Sequence, residues 1–181
     1  MAMPDLQPQL DLITWVRREE GFLHPEVEVA SDSDRGYHIR VGAGHTIRAN
    51  TRIASCPISA TISVLNAMNI APFGSHGTNF PSSFINKQSF TVVQYFFLIE
   101  QYLLGPDSWW APYISTIPNP DAIDTMIFTD DEDMRWLAGT NLKGALAKQN
   151  DKWRELYTAA SAQLKQLGWA NAERCTWYGG P

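Results

Sequence analysis

Residues 27–57, VEVASDSDRGYHIRVGAGHTIRANTRIASCP, form the only long stretch of this chain with an alternation of period two, and helical patterns lie on both sides of it. Val27 and Val29 alternate with Glu26 and Glu28, and after the turn-rich SDSDRG the residues Tyr37, Ile39 and Val41 alternate with His38 and Arg40. Alternation broken by such a turn predicts a β-hairpin. Its apolar face carries Val27, Val29, Ile39 and Val41, while the two glutamates sit near His38 and Arg40 on the other face, where opposite charges across strands help modestly. Gly42 and Gly44 then turn the chain into a third extended run, Thr46 with Ile47 and again residues 52–55, which stops at Pro57.

Helical periodicity organises the remainder. Residues 5–20 read as a first helix, with Leu6, Leu10 and Ile13 in register, Pro8 in the first turn and Gly21 as its C-terminal cap. Residues 71–87 hold Pro72, Gly74, Gly77 and Pro81 without any period and read as a loop. Ser89 caps a helix over residues 90–104, so apolar on all sides that burial is expected, and Gly105 with Pro106 ends it. Trp109, Trp110, Tyr113, Pro118 and Pro120 then make a stiff aromatic turn. Thr129 and Glu132 form a capping box. Asn141 caps a last helix of about 25 residues, carrying Leu142, Leu146, Trp153, Leu156, Ala160, Leu164 and Leu167 and closing at Gly168.

A chain of 181 residues with 44% hydrophobic and 18% charged residues can bury one good core. Its net charge of −5 argues against a phosphate backbone as partner, so nucleic acid is not expected. Cys56 and Cys175 are too few for a disulfide framework. The start lacks the charged and apolar runs of a secretion signal, and the longest apolar run, residues 95–99, is too short to span a bilayer. These features predict an intracellular protein, cytoplasmic or nuclear.

The order of these elements resembles the SET domain of protein lysine methyltransferases, of the Rubisco large-subunit methyltransferase type and especially its fungal forms. The resemblance rests on the strands around Asp34, Arg35, Gly36 and Tyr37, the Phe- and Tyr-rich helix, the spaced motif W-x-x-Y-I-x-x-x-P-x-P from Trp110, the run L-x-G-T-N-L ending at Leu142, and a long helix with Trp153 and Tyr157 in its middle. It implies an α+β fold. Residues 1–60 hold a helix plus SET-type strands in small antiparallel sheets, residues 88–168 a helical insert that borders the substrate cleft, and residues 169–181 a tail. It also implies S-adenosylmethionine as methyl donor, contacted by Arg35, Gly36 and Tyr37. Asp34 stands where the family's turn has its first glycine. The family's donor pocket and lysine channel use an Asn-His pair and a late Tyr beyond the insert. No Asn-His dipeptide occurs here, and the expectation is a truncated SET domain that does not methylate lysine by itself.

Several residues carry two readings. His38, Arg40 and His45 are acid, base or hydrogen-bonding candidates, or the solvated face of a strand opposite Glu26 and Glu28. Trp109, Trp110 and Tyr113 line a substrate cleft or anchor their turn. Asp130, Asp131 and Asp133 suit the positive end of a helix and match no calcium loop, so no metal is expected. Cys56 reads as a packed thiol. Three functions follow from the resemblance together with its departures. The chain is a methyltransferase-like protein without competence of its own, a SET scaffold recruited as a donor-independent catalyst (for example a cyclase acting on a small apolar molecule), or a non-catalytic binding or regulatory partner. Open strand edges and the apolar stripe of the last helix predict a homodimer or a partner protein.

Overall fold

The computed structural model describes residues 5–71, 76–118 and 133–175. The expected capping box of Thr129 and Glu132, together with Pro72, Gly74, Pro120, Asp130, Asp131 and the tail from residue 176, lies outside them. Over the described residues the fold is mixed α and β with two small antiparallel sheets.

The first helix, α1, spans Gln7–Arg18 and buries Trp15. Its end differs from expectation by one residue. Glu20, not Gly21, takes the left-handed position, at φ 66°, and the Glu20 and Gly21 N–H groups donate to the carbonyls of Arg17 and Val16 at 3.2 and 2.8 Å. That is a Schellman closure. Gly21 is required for space instead: a Cβ there would lie 2.3 Å from Val16 Cγ1 and 2.7 Å from the Val16 carbonyl oxygen.

Close passage at Gly21 delivers β1, Phe22–Leu23, to β4, Ala54–Ser55, with Phe22 opposite Ser55. The third extended run therefore leaves the hairpin and pairs with a segment that has too few residues to show a period. Strands β2, Val27–Asp32, and β3, Gly36–Val41, form the expected hairpin, with Val27 opposite Val41 and Glu28 opposite Arg40. Asp32 Oδ1 accepts the N–H groups of Asp34 and Arg35, and Gly36 takes a positive φ where the turn re-enters the strand. Only Val27 on the apolar face is buried, and Tyr37, Ile39 and Val41 are exposed.

The core is helical. α2, Val64–Ala67, starts at Ser63, whose hydroxyl accepts from the Asn66 N–H. The segment expected to be a loop contains α3, Ser82–Ile85, and packs Phe80 and Phe84 inward. α4, Phe90–Leu104, begins at Ser89 as expected and ends on Gly105 at φ 56°. Its burial is one-sided, contrary to the expectation for so apolar a helix. Val92, Val93, Phe96, Phe97, Glu100 and Gln101 face inward, whereas Phe90, Tyr95 and Tyr102 are exposed.

α5, Ala111–Ile114, is the aromatic turn, and the short α6, Asp133–Trp136, precedes α7, Asn141–Gln166. Thr140, not Asn141, occupies the N-cap of α7, and its hydroxyl donates to the Leu137 carbonyl. Gly168 at φ 72° closes the helix, with the Trp169 N–H donating to the Leu164 carbonyl and both side chains buried. The inward positions of α7, Leu146, Asn150, Trp153, Tyr157, Ala160 and Leu164, recur every three or four residues. Leu142, Leu156 and Leu167 fall off this seam and are exposed.

Candidate functional site

Two contacts fix how the last long helix lies on α4. Gln88, just before α4, hydrogen-bonds Gln163 through its amide, and Phe96 stacks on Tyr157 with ring centroids 5.6 Å apart. Rising positions on one helix meet falling positions on the other, so the pair is antiparallel. Beyond the Phe96–Tyr157 stack the helices leave a groove of about 620 Å³ between them. Tyr95, Phe96 and Ile99 form one wall, and Trp153, Leu156 and Tyr157 the other. Its ends carry polar side chains, Ser89 and Thr91 at the start of α4, Gln149 and Lys152 on the earlier turns of α7, and between them the polar groups belong to the aromatic residues Tyr95, Trp153 and Tyr157. A largely apolar cleft of this size with a few polar groups at its margins is the usual form of a small-molecule site.

Behind this wall, on the inward face of α4, lies Glu100, 1% exposed. Its Oε1 accepts from the Asn79 N–H at 3.2 Å and Trp169 Nε1–H at 3.4 Å. Its Oε2 is buried and has no hydrogen-bond partner among the described residues. Burial pushes its carboxyl above the ordinary glutamate range, against the lowering effect of the nearby Thr78 side chain and of the Asn79 and Trp169 N–H groups. One carboxylate thus ties α4 to the segment before α3 and to the turn after α7.

The residues singled out in the sequence fall into two groups. On the hairpin, Arg35 forks onto Asp32 Oδ2 through Nε and a terminal nitrogen at 3.0 and 2.6 Å, and the Arg35 guanidinium and N–H hold the Asp32 carboxyl below its ordinary range. Gly36 serves the turn, and the Tyr37 hydroxyl donates to the Asp5 carbonyl. Arg40 pairs with Glu28 at 2.8 Å, as expected. His38 does not meet a glutamate: its Nδ1 lies 2.9 Å from the Gly36 carbonyl and its Nε2 3.8 Å from Asp32. Glu26 instead faces His45, at 3.5 Å.

In the second group Trp110 belongs to the core and Trp109 packs against it. Trp110 is 1% exposed, donates from Nε1 to the Ala60 carbonyl at 3.1 Å, and meets Phe97 and Trp109 edge-on. Trp109 stacks on His76 and touches Trp15, and Tyr113 is exposed. Anchoring is what these contacts provide. No hydrogen bond, ion pair or ring contact among the described residues joins this group to the hairpin face. Cys56 is exposed rather than packed. Cys175 is also a free thiol. Among the described residues no three His, Cys, Asp or Glu side chains gather to hold a metal ion, and no helix is long and apolar enough to cross a membrane.

The groove residues escape a reading by periodicity because α4 is apolar on both faces. The signal was there in the surplus: Tyr95 and Tyr102 lie off the stripe that the core consumes. Compared with known protein families the chain matches none, and no curated protein matches it.

Proposed function

We propose that this chain is a binding protein, built on a SET-type scaffold, that takes a small apolar molecule in the groove between α4 and α7 and does not by itself transfer a methyl group to lysine. The groove carries the reading. Its aromatic walls come from two helices already packed on a common core, so a ligand meets a preformed surface and pays little ordering cost. The scaffold assignment rests on the resemblance in element order and in the Trp110 motif. Against donor binding stand Asp34 in the turn and the commitment of Arg35 to Asp32.

The neutral fluorophore N-phenyl-1-naphthylamine tests the groove directly. It should bind the native chain with a rise in emission, and Leu156→Glu should weaken it by about tenfold or more, since a buried leucine contact is worth roughly 1.5–3 kcal/mol. Leu156 is exposed, so the substitution leaves the fold intact. S-adenosylmethionine should give no heat of binding in calorimetry. Tight binding of that donor, with no binding of the fluorophore, would restore the methyltransferase reading in place of this one.

A further inference from the structure

The groove is apolar along its length but not symmetrical in charge. Lys152 and Gln149, one turn apart on α7, line the same end. Both present hydrogen-bond donors there. Lys152 makes no hydrogen bond or ion pair among the described residues, although Asp151 and Glu155 lie within one turn on its own helix and could have neutralised it. Neither of those carboxylates lines the groove. The opposite end offers only the Ser89 and Thr91 hydroxyls, and the Ser89 oxygen already accepts the Val92 N–H as the cap of α4. A ligand lying along the groove therefore finds a cation and an amide donor at one end and neutral groups at the other. The distance between them is set by the ten residue steps from Ser89, the cap of α4, to Ile99, about 15 Å at the helical rise.

On the reading that the groove is a ligand site, we infer that its ligand is a single-chain amphiphile with a carboxylate head. The carboxylate sits on Lys152 and Gln149, and the hydrocarbon or aryl body lies between Tyr95 and Trp153. An ammonium at the rim of an apolar surface binds a carboxylate more readily than one in open water, because the walls exclude part of the competing solvent. A cationic head at the same place meets repulsion. Lys152 is thus a specificity residue. The apolar walls supply affinity, and the ammonium decides which end of the molecule goes where and which head groups are admitted.

Displacement of N-phenyl-1-naphthylamine separates this inference from the reading beneath it. Dodecanoate and dodecyltrimethylammonium share a chain length and differ in head charge, and both are titrated below the concentration at which they form micelles, at low salt. Dodecanoate should displace the fluorophore at a concentration about five- to tenfold lower. Lys152→Met keeps most of the apolar stem and removes the charge. With displacement referred to each variant's own fluorophore affinity, it should erase the preference, and Lys152→Arg should keep it. Equal displacement by the two amphiphiles, or a preference that survives Lys152→Met, overturns the carboxylate assignment and leaves the groove standing. Failure of the fluorophore to bind, or binding indifferent to Leu156→Glu, removes the groove itself.

Discussion

Trp110→Ala should cost about 3–5 kcal/mol, enough to leave much of the chain unfolded at 25 °C, since domains of this size are stable by only roughly 5–15 kcal/mol. The indole is almost wholly buried and holds together segments far apart in sequence. It touches Phe97 on α4 and Trp109 beside it, and its N–H satisfies the Ala60 carbonyl ahead of α2. Ser108, which donates to Gln101 and accepts the Trp110 N–H, fixes the approach of this turn to α4. Removing the ring opens a cavity and strands a carbonyl. Thermal unfolding followed by circular dichroism should show a large fall in midpoint for Trp110→Ala and a smaller one for Trp109→Ala, whose ring is only half-buried. A loss below about 1 kcal/mol would mean that Trp110 is not the anchor described.

Glu100 gives the second large effect, and its sign is unusual for a carboxylate. Its folded pKa is raised, so between the ordinary value and the folded one the native state binds more protons than the unfolded state. Stability then falls as pH rises through that window and is recovered as pH drops back toward the ordinary glutamate range. Glu100→Gln should remove this dependence while keeping an acceptor for Asn79 and Trp169. Glu100→Ala should lose about 2–4 kcal/mol, because the Asn79 N–H and the Trp169 indole N–H lose their acceptor and a cavity is left behind. Denaturant melts of the three proteins across mildly acidic to neutral pH decide the matter. A native curve that loses stability on acidification through this window, or a Glu100→Gln curve parallel to the native one, would show that this carboxyl is not held against ionisation.

What the sequence disclosed follows from how local each signal was. The hairpin, α4 and α7 announce themselves because alternation, caps and terminal glycines lie within a few residues of what they control, as at Ser89, Gly105 and Gly168. The pairing of β1 with β4 was hidden, since two-residue strands carry no period and their register is set by the close passage at Gly21. α3 was hidden for a related reason. Prolines and glycines surround Phe80 and Phe84, and only the core they fill identifies them as buried. The site divides likewise. Arg40 with Glu28 was legible from cross-strand register, whereas Glu100 looked like an interruption of an apolar helix, its inward direction depending on partners more than 20 positions away. The groove required knowing which face of α4 the core leaves over.

A crystal structure of the chain with dodecanoate tests the central claim most directly. The hydrocarbon should lie along Tyr95, Phe96 and Trp153, with a carboxylate oxygen about 3 Å from Lys152 Nζ. A chain seated instead on the exposed Tyr37, Ile39 and Val41 face of the hairpin, with the groove between α4 and α7 holding only water, would contradict it.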